Sequence, residues 1–205
     1  MNPRFTVGHS NHELDVLLDL LQRHRVEAVA DVRSEPFSPH YPQFGRPVLE
    51  RTLGQSGRQY VFVGRELGAR REERECYVDG QARYDLAAKT PAFAEGLRRV
   101  ISGLRRYRVA LLCAEKDPLM CHRAILVCRH LRGGGFPIHH ILADASLESH
   151  ASAEERLLQL AGLAEPSLFA SLSERIEEAY DLQGAKIAYR EAAVPAPTEA
   201  SLEPA

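Results

Sequence analysis

The sequence predicts an α/β protein, Rossmann-like and doubly wound, with a mainly parallel sheet of about five strands and helices at its C-terminal end. Two observations carry that expectation. Short apolar runs alternate along the chain with amphipathic helical stretches, the pattern of strands covered by crossover helices. At 205 residues and 44% hydrophobic content, the chain is also long enough to bury one sizeable core. We expect one domain over residues 1–190 and a disordered tail over 191–205, where Pro and Ala dominate and aromatics are missing.

Taken in order, Phe5-Thr6-Val7 reads as the first strand. Ser10 and Glu13 then have the spacing of a capping box opening a helix, with Leu14, Leu17, Leu18 and Leu21 on one face. Strands follow at Glu27 to Val32 and Tyr60 to Val63. Thr90-Pro91 opens a helix with Phe93, Leu97, Val100, Ile101 and Leu104 on its inner side. Val109 to Leu112 is a buried strand, Asp117 is a helix N-cap, and Pro118 suits the first helical position. Cys121, His122 and Arg123 should then fall in or near the first helical turn. Ile138 to Leu142 is a fifth strand, and the chain reads as helical from about residue 150 to Arg190.

Two segments break the rhythm. Glu35 to Pro47, with four prolines among Phe37, His40, Tyr41 and Phe44, suits a stiff loop that walls a pocket. Arg65 to Arg83 mixes arginines and glutamates, and the expectation there is a solvated surface.

Composition narrows the function. No apolar run approaches a membrane span and no signal peptide opens the chain, so a soluble, cytoplasmic protein is expected, with no membrane partner. Cys76, Cys113, Cys121 and Cys128 are too few for a disulfide scaffold. A net charge of −2 argues against a general nucleic-acid coat while leaving room for a local basic pocket.

Ligands of open parallel sheets bind beyond the carboxyl ends of the strands, and three such ends carry polar clusters. Gly8-His9-Ser10-Asn11 offers a sharp turn and helix-start N–H groups. Asp31-Val32-Arg33-Ser34 offers a carboxylate and a planar guanidinium fork. Cys113 through Arg123 offers two thiols, Glu115, Lys116, His122 and Arg123. The candidate catalytic groups are His9, Asp31, Glu115, Cys121 and His122. The candidate substrate contacts are Gly8, Ser10, Arg33, Ser34, Cys113, Lys116 and Arg123.

These motifs resemble those of the domain of unknown function 488 family. The resemblance rests on Thr6-Val7-Gly8-His9-Ser10, Asp31-Val32-Arg33-Ser34, Pro42-Gln43-Phe44, Glu66-Leu67-Gly68, Leu111 through Pro118 and Cys121-His122-Arg123. The closing Ala185-Lys186-Ile187-Ala188-Tyr189-Arg190 extends it, so that it spans residues 4 to 190. It supports the fold and the location of a site and implies no reaction.

The leading expectation is an enzyme acting on a small phosphorylated or nucleotide-like anion, a hydrolase or transferase, with acid/base or thiol chemistry. In the thiol version Cys121 is the nucleophile, its pKa lowered by a helix start beside His122 and Arg123. A rhodanese-like or phosphatase-like enzyme is the alternative. It shares the strand-then-cysteine layout, but it needs a tight loop of N–H groups between cysteine and arginine, and Arg123 follows Cys121 by only two residues. A non-catalytic nucleotide or nucleic-acid module would use Arg98, Arg99, Arg105, Arg106 and Arg108 with Tyr41 and Phe44 for stacking. Cys113, Cys121 and His122, with His9, are soft and borderline metal ligands, but their spacing matches no standard finger or ribbon, and no metal ligand is assigned. Cofactor and oligomeric state are unspecified by the sequence.

Overall fold

The computed structural model describes residues 4–37, 39–135 and 137–191. The disordered tail expected from the sequence lies outside them apart from Glu191. The elements in order are β1 (Arg4–Gly8), α1 (Leu14–Arg23), β2 (Ala28–Asp31), α2 (Arg46–Gln55), β3 (Gln59–Phe62) and α3 (Gly64–Leu67). A two-stranded ribbon, β4 (Tyr77–Val78) and β5 (Gln81–Ala82), precedes α4 (Tyr84–Ala87), α5 (Pro91–Leu104) and β6 (Val109–Cys113). The chain closes with α6 (Arg129–Leu131), β7 (Ile138–Ile141), β8 (Leu147–Ser149), α7 (His150–Ala161) and α8 (Leu172–Ile187). A π-helical segment, Arg123–Cys128, runs directly into α6.

Among the described residues the sheet has six strands in the order β3-β2-β6-β1-β7-β8, of which only the β7–β8 pair is antiparallel. The sixth strand escaped the sequence reading because Leu147–Ser149 is short and polar, with no apolar run to mark it. Alternation along the strands splits the core into two clusters. Phe5, Val7, Val29, Ala110 and Leu112 pack with Leu17, Leu20 and Leu21 of α1 and with Leu49 and Leu53 of α2. Ala28, Ala30, Val109, Leu111 and Cys113 pack instead with Phe93, Val100 and Leu104 of α5, the Ile125–Leu131 segment, α7 and α8.

Register determines where the polar clusters meet. Gly8 pairs with Cys113 across β1 and β6, and Asp31 pairs with Leu112 across β2 and β6. Three parallel strands therefore stop almost level, and their polar continuations converge at one edge.

Three local expectations are corrected. Helix α1 starts at Leu14, and its N-cap Glu13 receives no side-chain bond; the Ser10 hydroxyl donates to Asn11 Oδ1 and the Ser10 backbone adopts φ +50°, so no capping box forms. Pro118 opens only one 3₁₀ turn, Pro118–Met120, closed by the Asp117 carboxylate accepting from Leu119 N–H. Cys121 then returns to extended backbone (φ −140°, ψ 137°), and the helix begins after it. Finally, the stiff proline loop ends earlier than expected, because Pro47 takes an early helical position where its missing N–H costs nothing, and α2 starts at Arg46.

Candidate functional site

Gly8 ends β1 where the backbone of Glu115 passes, and a Cβ there would lie 1.9 Å from the Glu115 carbonyl oxygen. Only glycine permits that approach. It lets His9 N–H donate to the Cys113 carbonyl (2.9 Å) and Ser10 N–H to the Ala114 carbonyl (2.8 Å). The helix start expected at Ser10 to supply free N–H groups is thus replaced by bonds to the neighbouring strand end, and the helix begins only at Leu14.

Asp31 and Arg33 form a buried, bidentate pair. Arg33 Nε donates to Oδ1 (2.9 Å) and Nη2 to Oδ2 (2.6 Å), while Tyr60 donates its phenol hydrogen to Oδ2 (2.8 Å). The third nitrogen, Nη1, donates to His9 Nε2 at 3.2 Å. His9 stacks on Phe44, and its Nδ1–H donates to the Ser10 carbonyl. Burial, then the Arg33 charge, lowers the His9 pKa to about 4, so His9 is neutral at pH 7 and accepts from Arg33. Arg33 is therefore at once half of an internal ion pair and part of the cleft wall.

The third cluster is built around sulfur. Cys121 is the residue whose carbonyl accepts the first helical N–H groups, from Ala124 and Ile125, and its Sγ accepts from Arg123 N–H at 3.4 Å, as an N-cap side chain does. Cys113 Sγ donates to Glu115 Oε2 (3.1 Å) and lies 3.6 Å from His122 Nδ1, with Cys121 Sγ 4.0 Å from the same nitrogen. His122 Nε2–H donates to the Val32 carbonyl (2.9 Å), so Nδ1 is the face turned to both sulfurs. Arg123 is fully buried and donates to the carbonyls of Glu115 (2.6 Å) and Lys116 (3.2 Å) and to Thr6 Oγ1 (3.4 Å). Among the described residues it has no carboxylate partner. Burial opposes ionisation of Cys121, but the Cys113 thiol, Arg123 and His122 outweigh it and hold Cys121 well below the ordinary thiol range. Burial and the Cys121 sulfur push Cys113 well above that range.

A cleft runs over this edge in two adjoining parts of about 330 and 630 Å³. The first contains Cys113, His122, Ser34 and Arg70 with the aromatic side chains of Phe37, Tyr84 and Tyr189. The second contains His9, Ser10, Asn11, Tyr41 and Lys116, and Arg33 and Glu115 border both. Glu115 is open to the cleft, yet desolvation against its floor and the Cys121 sulfur raise its carboxyl pKa. Of the predicted residues, Gly8, Asp31, Cys121 and Arg123 stand behind the wall, and it is Cys113, not Cys121, that borders the cleft.

Sequence reasoning missed Arg70 and Tyr189, which come from segments read as surface and helix, and Tyr84, which lies between the segments it assigned. It also missed the clamp that holds the 114–120 loop, in which Arg156 of α7 makes paired bonds to both Asp117 and Glu148. Behind Arg123, Thr6 bonds His140, His140 bonds His150, and His150 bonds Tyr180, all buried. Arg71 is a further exception to the solvated-surface expectation. It is buried, paired with Glu73 and donating to the Arg65 and Glu66 carbonyls.

A family profile, "Domain of unknown function DUF488", matches residues 13–129. The chain belongs to the DUF488 family. The matched span takes in the second and third clusters of the DUF488 site, while the Gly8-His9-Ser10 turn and the C-terminal stretch lie outside it. No curated protein and no solved structure matches the chain. Among its described residues no helix is long and apolar enough to cross a membrane.

Proposed function

We propose that this DUF488 protein is an enzyme of Rossmann-like, doubly wound layout that works on a small phosphorylated or nucleotide-like anion at the carboxyl edge of its sheet. One observation carries the reading: a cleft in which a rigidly held guanidinium and an aromatic wall border the same space as Cys113, His122 and Glu115. Arg33 is orientated by Asp31 and His9, which take three of its five N–H groups and leave one hydrogen on each terminal nitrogen for phosphate or carboxylate. Phe37, exposed on the cleft wall, offers a face on which a base or another planar group stacks, beside the Tyr189 ring that the Arg70 guanidinium covers. Glu115 and His122 are the acid and base candidates within this space. Asp31 already neutralises Arg33 and Glu35 pairs with Arg70, so the anion must gain from Lys116 and the Ser34 hydroxyl as well.

The second reading, thiol chemistry, is favoured by Arg123, a buried cation whose neighbourhood stabilises sulfur anion. Against a phosphatase-like cradle, the N–H groups of Leu119, Met120 and Cys121 are turned inward onto Asp117 and Pro118. The nucleic-acid module is not favoured, because Arg98 pairs with Glu95 and Arg99 with Glu66. A panel of inorganic phosphate, nucleotides and sugar phosphates, read by calorimetric titration, tests the leading reading. Saturable binding that weakens in Arg33→Lys is expected; no binding across the panel contradicts it.

A further inference from the structure

We propose that Cys113, Cys121 and His122 together form a site for one divalent transition-metal ion of the zinc class, its fourth coordination position facing the cleft. The inference deepens the enzymatic reading and rests on it for the nature of the fourth ligand.

Geometry is the first support. The two sulfurs and the imidazole nitrogen lie within 4.8 Å of one another, all three buried. A tetrahedral ion with metal–sulfur distances of about 2.3 Å and metal–nitrogen distances of about 2.0 Å requires sulfur–nitrogen edges of about 3.6 Å. The observed edges are 3.6 Å for Cys113 and 4.0 Å for Cys121. The sulfur–sulfur edge, within 4.8 Å, closes to about 3.8 Å when both thiolates bind one tetrahedral ion.

The second support is the orientation of the histidine. His122 Nε2–H is committed to the Val32 carbonyl, which fixes the ring and leaves Nδ1 as the donor atom facing both sulfurs. Metal-binding histidines are held in this way, with the far nitrogen donating to a carbonyl or carboxylate.

Access and charge are the third. Cys113 and His122 border the cleft and Cys121 does not, so an ion enters from one side and keeps that side for water or substrate. Two thiolates neutralise a divalent ion, and the hydrogen that Cys113 gives up passes to its present acceptor, Glu115 Oε2 at 3.1 Å, or to water while that side chain turns into the cleft. Three protein ligands and an open position are the arrangement of catalytic rather than structural zinc. The substrate class that follows is a phosphorylated anion whose oxygen takes the open position, polarised by the ion while Arg33 holds its charge. The unusual spacing of the ligands reflects their origin in two elements, a strand end and a helix start, rather than one finger.

The test uses the full chain, reduced and stripped of metal with a chelator, titrated with Co²⁺. We expect one equivalent to bind, with thiolate-to-cobalt charge-transfer absorption and d–d bands of tetrahedral strength that Zn²⁺ abolishes. Cys121→Ser and His122→Ala should each weaken binding roughly tenfold or more, with circular dichroism confirming their fold. In wild type, Zn²⁺ should slow alkylation of Cys113 and Cys121 but not of Cys76 and Cys128, a readout that stands even if a variant fails to fold. Weak octahedral bands, binding unchanged by Cys121→Ser, or no protection of the two thiols would overturn the site. Phosphate binding measured on the stripped protein separates the two proposals. Its survival without cobalt binding removes only the metal, and its absence beside tight cobalt binding removes only the anion.

Discussion

Two arginines in this protein follow a partner by two positions at the end of a polar cluster, and they are satisfied in opposite ways. Arg33 finds the Asp31 carboxylate, a bidentate match that neutralises it within its own loop. Arg123 finds two backbone carbonyls, a threonine hydroxyl and the field of two sulfurs. The first pair is complete and presents an orientated edge to the cleft. The second leaves a buried positive charge that favours the Cys121 sulfur as anion. Similar motifs are therefore satisfied by different partners: one by a carboxylate, the other by carbonyls and sulfur.

Removing Arg123 breaks the comparison at its more demanding end. Arg123→Ala should cost about 3–5 kcal/mol, because the buried Glu115 and Lys116 carbonyls and Thr6 Oγ1 lose a charged donor, each such bond being worth about 1.5–3 kcal/mol. Chemical denaturation measures this, and a cost under about 1 kcal/mol, the range of a surface pair, would show that Arg123 is not the keystone of the loop.

Asp31→Asn sharpens the other end. The variant leaves Arg33 uncompensated, so stability should fall by about 3 kcal/mol while affinity for inorganic phosphate rises. A parallel loss of both would make the pair pure scaffold.

The pH dependence of stability is a smaller effect with a definite sign. The folded pKa of His9, about 4, lies below its unfolded value, and His140 is depressed in the same direction by burial and by His150. Their contribution is present above about pH 6.5 and is lost as pH falls toward about 4. Denaturation at a series of pH values should lose on the order of 2 kcal/mol over that window, and His9→Asn should flatten the curve. A profile identical in wild type and His9→Asn would contradict the neutral, Arg33-bonded histidine.

The amount of this that was legible in the sequence depended on the range of the interaction. Val109–Cys113, Thr90 capping Phe93 N–H and the convergence of three strand ends follow from local apolar runs and parallel topology, and they are present. Ser10 and Glu13 had capping spacing, but the strand end at Cys113 and Ala114 took the His9 and Ser10 N–H groups, and long-range pairing won over the local motif. Cys121 looked like the exposed thiol because Pro118 looked like the start of a long helix; one 3₁₀ turn rotated it behind Cys113. Arg156, His140 and Tyr180 carry no local signal, since their partners lie on other elements.

The most direct test of the account is the alkylation of Cys113 in the reduced, metal-free full chain, followed by peptide mass mapping with and without phosphorylated ligands. Cys113, which borders the cleft, and Cys121, which is held as thiolate behind it, should label ahead of Cys76 and Cys128, and inorganic phosphate or a nucleotide should slow labelling of Cys113 saturably in wild type and far less in Arg33→Lys. Labelling of Cys113 at one rate under every condition would contradict a substrate cleft at this edge of the sheet.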